Sequence, residues 1–178
     1  TPTTHILKPQ IGRLPNGLDL SHSVENERSC LSLMIELGLP AARSEIADFE
    51  GERVLVIERF DRLHTADGRL LRRPQEDCCQ ALSVPSSRKY DAEGGPGIVD
   101  ILTPLQGSDH AEADRALFLK AQIVFWLIGA TDGHAKNFSL FLAPGGRYRL
   151  APLYDVLSAE PSFVGGQIRR RQMRLAMA

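Results

Sequence analysis

The chain has 178 residues, 43% of them hydrophobic, and a formal charge of −1. This length is enough to bury a real core and favours one domain or one large lobe. The near-neutral charge gives no reason to expect nucleic acid or a membrane surface as a direct partner, and the longest apolar run, residues 123–130, is far shorter than the ~20 residues that cross a bilayer.

The chain begins with strand patterns on either side of a helix. Residues 5–8 predict a short strand, and residues 10–20, rich in turn formers, predict a loop. The helix that follows is capped by Ser21 or Ser23 and ends in the Gly-Leu-Pro segment at 38–40. Its predicted buried stripe consists of Val24, Leu31, Met34 and Ile35.

A hairpin is predicted next. Residues 44–49 and 53–60 pair across the Glu-Gly-Glu segment at 50–52. The second strand is apolar on both faces at 54–57, which is typical of an internal strand. A further turn is expected at 66–68.

Helical patterns dominate the second half. Pro74 suits the first residue of a helix that runs to about Leu82, and residues 83–97 predict a surface loop. Residues 98–105 and 111–129 predict helices, the second amphipathic at first and fully buried towards its end. Strands first and helices later indicate an α+β fold of two layers or lobes.

A polar loop follows the last of these helices and holds the densest group of catalytic side-chain types. The apolar run ends at Gly129, and Asp132, His134, Lys136 and Asn137 come before the next apolar run. Asp132 and Asn137 have the D-x-x-x-x-N spacing of phosphotransferases, in which the carboxylate accepts a hydroxyl proton and the amide oxygen binds a metal.

Asp155 is the expected second metal ligand. Apolar runs at 138–142 and 148–150 flank a Pro-Gly-Gly turn at 144–146, so the chain folds back as a hairpin and returns Asp155 beside Asn137. Magnesium prefers hard oxygen ligands and binds through one or two protein carboxylates together with substrate phosphates. One Asn and one Asp therefore suffice.

Several of these residues also have simpler interpretations. Asp132 followed by Gly is typical of a turn, and Asn137 alone is typical of a cap. His134 fits a core histidine as well as an active-site residue. Lys136 is either a solvated lysine or a phosphate ligand. The joint pattern favours a site, because a turn requires neither the spacing nor a second Asp.

The first strand and the hairpin leave similar alternatives open. Lys8 is either an exposed lysine or, in a kinase, the strand lysine that holds phosphate and is oriented by a helix glutamate, here Glu25 or Glu27. The segment at 58–60 is either a strand end with a surface ion pair or a backbone edge that meets adenine.

The three cysteines indicate the compartment. Cys78 and Cys79 are adjacent and Cys30 stands alone, so the chain has neither an even disulfide framework nor a C-x-x-C pair. A zinc site is therefore not expected, and the pattern fits a reducing cytoplasm. No signal-peptide pattern opens the chain.

The motifs together resemble the HipA family of bacterial serine/threonine kinases, the toxins of type II toxin–antitoxin modules. The segments that carry the resemblance are 129–139, Tyr154-Asp155, 58–62, 74–77, Lys89-Tyr90 and 94–97. Similar loops occur in phosphoinositide-type lipid kinases and in aminoglycoside and choline kinases. A lipid or small-molecule kinase therefore stays an alternative.

The resemblance implies a protein-kinase-like fold, with the remainder of an N-lobe at 1–60 and a mainly helical C-lobe at 61–178. The C-lobe would hold a catalytic loop at 130–137 and a metal-binding segment at 153–156. By the same resemblance Asp132 is the catalytic base, Asn137 and Asp155 are the magnesium ligands, and Lys8 reaches the ATP phosphates. The residues that match nucleotide contacts are Glu58, Arg59, Phe60, His134, Ala135, Lys136, Asn137, Tyr154 and Asp155.

The implied cofactors are ATP and Mg²⁺, and the implied substrate is a protein hydroxyl, typically on an aminoacyl-tRNA synthetase. The implied partner is a small HipB-like DNA-binding antitoxin, through which the kinase meets DNA only indirectly. The family's glycine-rich phosphate loop would precede Lys8, and further helices would follow Ala178. Because the 178 residues contain neither, and residues 169–178 read as an unfinished helix, we expect a piece of a longer protein. A catalytically silent module that binds the antitoxin is the alternative.

Overall fold

A computed structural model describes residues 3–177. Its strands are β1 (His5–Pro9), β2 (Gly12–Arg13), β3 (Asp19–Leu20), β4 (Ser44–Phe49), β5 (Glu52–Glu58), β6 (Arg62–His64), β7 (Leu70–Arg72), β8 (Gln75–Asp77), β9 (Ser139–Ala143) and β10 (Arg147–Leu150). Its α-helices are α1 (Ser23–Glu36), α2 (Cys78–Ala81), α3 (Ile98–Leu102), α4 (Ala111–Ile128) and α5 (Glu160–Val164). Short 3₁₀ turns lie at Ser86–Arg88, Asp91–Glu93, Pro104–Gly107, Ala135–Asn137 and Arg170–Gln172.

The first sheet has the strand order β1-β5-β4, with antiparallel pairing throughout. β5 lies in the centre, and Leu55, opposite Lys8 of β1 and Ile46 of β4, is fully buried. The prediction of an internal strand after a tight hairpin is confirmed. The predicted turn at 66–68 is also confirmed, because it joins β6 to β7.

Helix α1 packs against this sheet and also reaches the rest of the chain. Val24 belongs to a small apolar cluster with Leu55 and Ile57 of β5. The next turns of α1 contribute to a second, larger cluster, which includes Cys30, Leu31, Met34, Phe118, Phe125 and Phe138. A single helix therefore ties the sheet to the body that carries the polar loop. The lobe boundary at residue 60 stays a prediction.

The second sheet has the order β10-β9-β8 and corrects one expectation. The hairpin of β9 and β10 is as predicted. Pro74, however, does not begin a helix, because Gln75–Asp77 pair with β9 and the Leu142 amide donates to the Pro74 carbonyl at 2.9 Å. The helix begins only at Cys78, where the Asp77 side chain caps it.

Helix α4 ends differently from its prediction. Its predicted last turns are not fully buried: Ile123, Trp126 and Leu127 are 59%, 70% and 65% exposed. Phe125 of the hydrophobic run faces the core, whereas the three exposed side chains lie on the opposite side of the helix and face solvent. Within residues 3–177, no helix combines the length and apolarity that a membrane span requires.

Five smaller expectations about the elements were also wrong. Residues 10–20 are not wholly loop, since they contain the paired strands β2 and β3. The cap of α1 is His22, because Ser23 Oγ instead accepts from the Ile11 amide and donates to Gln10. Ile35 is 45% exposed and lies outside the buried stripe.

The predicted helix at 98–105 stops at Leu102, since a 3₁₀ turn begins at Pro104. The expected helix at 169–178 is, within the described residues, a single 3₁₀ turn at Arg170–Gln172.

Candidate active site

The polar loop starts where α4 ends in a left-handed residue. Gly129 has φ 63°, and the Ala130 amide donates to the Phe125 carbonyl at 2.8 Å, which turns the chain back over the helix. A Cβ on Gly133 would lie 2.5 Å from the Phe125 ring. The loop can pass this close to α4 only because residue 133 is glycine.

Asp132 stands at the rim of the loop with its side chain 64% exposed. Its Oδ1 accepts a hydrogen bond from the Tyr90 hydroxyl at 2.6 Å and lies 4.0 Å from His134 Nε2. The carboxylate is therefore open to an incoming group and is also held from one side.

Asn137 closes the loop. The 3₁₀ turn Ala135–Asn137 buries it, and its Oδ1 accepts from the His134 amide at 3.2 Å. Its Nδ2 donates to Asp155 Oδ2 at 3.0 Å. The hairpin was predicted to return Asp155 to the side of Asn137, and this hydrogen bond shows that it does so.

The segment that carries Asp155 is anchored on both sides. The Leu153 amide donates to the Pro40 carbonyl and the Ala42 amide donates to the Leu153 carbonyl, each at 2.8 Å. Asp155 itself has φ 58°, a left-handed conformation that non-glycine residues adopt rarely and that clusters at functional sites. This turn aims the carboxylate across the strands at β1.

Lys8 of β1 joins Asp155 to α1. Its Nζ lies 2.7 Å from Asp155 Oδ1 and 2.8 Å from Glu27 Oε1. Burial works to lower the pKa of Lys8, but hydrogen bonds to Asp155 and Glu27 outweigh it and raise the pKa. Burial raises the pKa of Glu27, which is 4% exposed, although Lys8 opposes that shift. Lys8 is therefore a firmly charged cation between two carboxylates.

The two glutamates that sequence reasoning left open have different roles in the structure. Glu27 faces Lys8, whereas Glu25 accepts from Gln10 at 2.7 Å and from Arg53 at 3.1 Å. Glu25 and Glu27 are two residues apart on α1, and residues at that spacing point in different directions.

The segment at 58–60 runs from the end of β5 towards the site. The amides of Glu58 and Arg59 donate to backbone carbonyls at 2.9 Å, and the Arg59 side chain makes two 3.0 Å bonds to Asp61. The Phe60 ring points inwards, with its centroid 5.8 Å from that of Tyr154. Phe60 is therefore the side chain of this segment that lies beside the site.

Tyr154 and Lys136 stabilise the loop through contacts with other parts of the chain. The Tyr154 hydroxyl lies 2.6 Å from Ser139 Oγ and donates to the Lys136 carbonyl at 2.7 Å. Lys136 Nζ is held by Asp77 at 2.9 Å, and Ala135 is fully buried. In this structure both Lys136 and Tyr154 make contacts within the chain that fix the loop.

His134 is buried behind Asp132. Burial lowers its pKa, the charges of Asp132 and Asp155 work to raise it, and Lys89 lowers it further. Its Nδ1 has no hydrogen-bond partner among the described residues. A buried imidazole under these influences is neutral at pH 7.

Sequence reasoning missed one residue of the site. Tyr90 belongs to a segment that carries the family resemblance without a predicted role, yet its hydroxyl donates a hydrogen bond to Asp132, 42 residues further along the chain. No spacing or periodicity signals this contact, because it depends on how the loop at 83–97 folds against the polar loop that holds Asp132 and His134.

The side chains that meet here carry oxygen ligands of the type that a magnesium–nucleotide complex uses, and in this structure the Asn137 nitrogen is the atom that faces Asp155. Asn137 and Asp155 offer a carboxamide and a carboxylate in direct contact, next to a lysine. No group of three or more His, Cys, Asp or Glu side chains within residues 3–177 has the arrangement of a metal site. One carboxamide and one carboxylate fit a cation that takes its remaining ligands from phosphate and water.

Comparison with known proteins decides the family. The family model described as "HipA-like C-terminal domain" matches residues 1–178. The chain belongs to this family. The resemblance inferred from the motifs is confirmed.

Curated HipA-like relatives support the assignment. The chain is 42% identical over 157 residues to "Putative kinase Y4mE" of Sinorhizobium fredii, which covers 88% of the chain and 36% of that protein. It is 33% identical over 151 residues to "Serine/threonine-protein kinase toxin HipA" of Shewanella oneidensis, covering 78% of the chain and 35% of the toxin. The chain thus spans about a third of the length of these relatives.

Solved structures confirm the α+β, kinase-like fold. The chain superposes on HipA in a Shewanella oneidensis complex of HipA, HipB and operator DNA with a TM-score of 0.82 and 28% identity, over 99% of this chain and 41% of that one. It also matches the Helicobacter pylori kinase CtkA with a TM-score of 0.61 and 14% identity, over 85% of this chain and 50% of CtkA. The second match supports the fold alone.

Proposed function

We propose that this HipA-like chain transfers the γ-phosphate of ATP to a serine or threonine hydroxyl of a protein, with Mg²⁺ as the metal cofactor. The observation that carries the proposal is a continuous set of contacts: Glu27 to Lys8, Lys8 to Asp155, and Asp155 to Asn137, with Asp132 on the same loop as Asn137. The kinase names of the relatives support the same reaction class.

Asn137 and Asp155 are the residues that would hold the metal. When bound, Mg²⁺ would neutralise charge on the phosphates. Lys8 already lies against Asp155, so it would exchange that contact for phosphate oxygens while Glu27 keeps its ammonium group in place. Glu27 and Asp155 would thus keep the Lys8 ammonium group beside the nucleotide phosphates.

Asp132 would act on the acceptor. Its exposed carboxylate would orient the substrate hydroxyl and take its proton, as the hydroxyl oxygen forms a bond to the γ-phosphorus and the bond from that phosphorus to the ADP oxygen breaks. His134 Nε2 lies 4.0 Å from this carboxylate, and burial lowers the pKa of the imidazole and so disfavours its charged form.

The adenine would lie between the strand end at 58–60 and the loop at 134–137. Phe60 and Tyr154 form an aromatic wall there, and the amides of Glu58 and Arg59 already donate to the carbonyls of Arg43 and Thr4. We therefore expect Glu58 and Arg59 to meet the base through backbone carbonyls. Ala135 and Lys136 would contribute backbone, since one is buried and the other is bound to Asp77.

A solved neighbour supports the proposed antitoxin partner. A solved neighbour is a complex of HipA with HipB and operator DNA, so a HipB-like antitoxin is the partner we propose, with DNA met only through it. The substrate class we propose is a cytoplasmic translation protein such as an aminoacyl-tRNA synthetase.

Labelled ATP tests the reaction directly. The chain is incubated with [γ-³²P]ATP, Mg²⁺ and a bacterial cytosolic lysate, and labelled proteins are identified by mass spectrometry. We expect labelled serine or threonine with the wild type and none with Asp132→Asn. Equal labelling by both would remove the base assignment, and labelled lipid or small molecules without labelled protein would favour the other kinase classes.

A second candidate is a catalytically silent module that binds the antitoxin. The observation in its favour is that the solved neighbour with a TM-score of 0.82 is HipA in a complex with HipB. Mixing the chain with a HipB-type antitoxin and with Mg–ATP separates the two: a silent module forms the protein complex and binds no nucleotide.

A further inference from the structure

The loop between α2 and α3 places a phenol on the candidate base. Tyr90 lies in this loop, and its hydroxyl donates to Asp132 Oδ1 at 2.6 Å. A bond this short between a hydroxyl and a carboxylate is of the strong, charge-assisted type. The 64% exposure of Asp132 leaves few other groups to fix the rotation of its carboxylate.

We propose that Tyr90 is a positioning residue: its hydroxyl holds one oxygen of Asp132 so that the other oxygen faces the acceptor hydroxyl. This rests on the function proposed above, in which Asp132 is the base. A carboxylate on a rim rotates freely in water, and catalysis requires it within a fraction of an ångström of its working position. One hydrogen bond to Oδ1 removes that freedom.

The ring of Tyr90 is itself fixed from two sides. It packs in a T-shaped arrangement with the His134 ring, with the centroids 5.1 Å apart and the planes at 74°, and Lys89 Nζ lies 5.0 Å from the centre of the Tyr90 ring. Burial, and then the hydrogen bond to Asp132, raise the pKa of Tyr90, so the phenol stays protonated and remains a donor. The donor is therefore constant across neutral pH.

The loop backbone is built to present this residue. The Gly95 amide donates to the Tyr90 carbonyl at 2.9 Å, and a Cβ on Gly95 would lie 2.2 Å from the Arg88 carbonyl oxygen. The next residue along from the tyrosine, Asp91, donates its amide to the Ala176 carbonyl at 3.0 Å. Only glycine fits at 95, and a distant part of the chain holds the loop in place. Such a loop is suited to hold the Tyr90 hydroxyl in a fixed position beside Asp132.

The test compares two variants in which a tyrosine loses its hydroxyl group. Tyr90→Phe keeps the ring against His134 and removes only the hydroxyl. The matched control is Tyr148→Phe, which removes an equally short bond, 2.6 Å to the Pro104 carbonyl, outside the candidate site. Phosphate transfer from labelled Mg–ATP to a serine/threonine peptide library gives kcat and the KM for ATP, and calorimetry gives the Kd for ATP.

We expect Tyr90→Phe to lower kcat about tenfold, the effect of roughly one hydrogen bond to a charged group, with KM and Kd for ATP within twofold of wild type. Replacing Tyr90 with p-aminophenylalanine, which keeps an N–H donor at the same place, should restore most of kcat. Tyr148→Phe should leave kcat unchanged.

Three results overturn the proposal. An unchanged kcat shows that the bond does not position the base, a raised kcat shows that Tyr90 blocks it, and an equal loss of ATP affinity shows a general structural role. The proposed function fails separately: wild type then transfers no phosphate at all, or Asp132→Asn transfers as well as wild type.

Discussion

Replacing Lys8 by Met tests the contact network at its centre. Lys8 is the cation between Glu27 and Asp155, and a methionine of similar length leaves both carboxylates without it. Glu27 is 4% exposed, so water cannot replace the lost partner there. We therefore expect Lys8→Met to destabilise the fold as well as to remove a phosphate ligand.

The magnitude lies between two limits. Breaking a fully buried ion pair costs about 3–5 kcal/mol, and an exposed pair contributes about 0–1 kcal/mol. The Lys8 side chain is 34% exposed and that of Glu27 is 5% exposed, so we expect roughly 2–3 kcal/mol. For a chain of this size that corresponds to a fall in Tm of about 5–10 °C.

Urea and thermal unfolding measure this loss. The matched control is Lys136→Met, which removes the pair with Asp77 at 2.9 Å, where the lysine is 37% exposed. We expect it to cost under about 1 kcal/mol. Adding Glu27→Gln to Lys8→Met should recover part of the stability, because the buried carboxylate is then gone. An unfolding curve of Lys8→Met identical to wild type, or no recovery in the double variant, would refute the reasoning.

Three further changes probe other parts of the chain. Gly133→Ala forces a methyl group into the Phe125 ring and should cost about 1–3 kcal/mol in urea unfolding, together with a loss of phosphate transfer; unchanged transfer would contradict the close packing of the loop. Burial works to raise the pKa of Asp61, but contacts with Arg59 and Arg62 outweigh it and hold the pKa below its usual value. The Asp61 carboxylate therefore stabilises the fold above about pH 4, and this stabilisation is lost as the pH falls. Asp61→Asn should therefore cost about 2–4 kcal/mol at pH 7 and less at pH 3; a gap that widens in acid would contradict this. Trp126→Ala should change the unfolding free energy by under about 0.5 kcal/mol and Phe118→Ala by about 3–5 kcal/mol, because the first is 70% exposed and the second is fully buried; equal losses would contradict the orientation of α4.

The parts of the site that sequence predicted are those set by local pattern. The five-residue spacing places Asp132 and Asn137 on one short loop, and the Pro-Gly-Gly hairpin returns Asp155 to Asn137. Hairpin geometry and loop length act over a few residues, so sequence order is enough to infer them. The family resemblance added Lys8, which no local pattern links to the loop.

The parts that sequence missed depend on distant segments. Pro74 looked like a helix start, but pairing of the next residues with β9 overrides that local preference. Trp126 belongs to an apolar run, yet the run is longer than the buried stripe of α4, so part of it faces outward. Tyr90 meets Asp132 only through the fold of a long loop. Each miss is a case in which tertiary contacts outweigh local propensity.

Calorimetric titration of ATP with and without Mg²⁺ tests the central claim most directly. The account predicts that wild type binds ATP with Mg²⁺ dependence, that Asp155→Asn, which tolerates the left-handed backbone, loses that dependence, and that Asp132→Asn keeps it. If wild type binds ATP equally well without Mg²⁺, or if Asp155→Asn matches wild type, then Asn137 and Asp155 do not form the metal–nucleotide site.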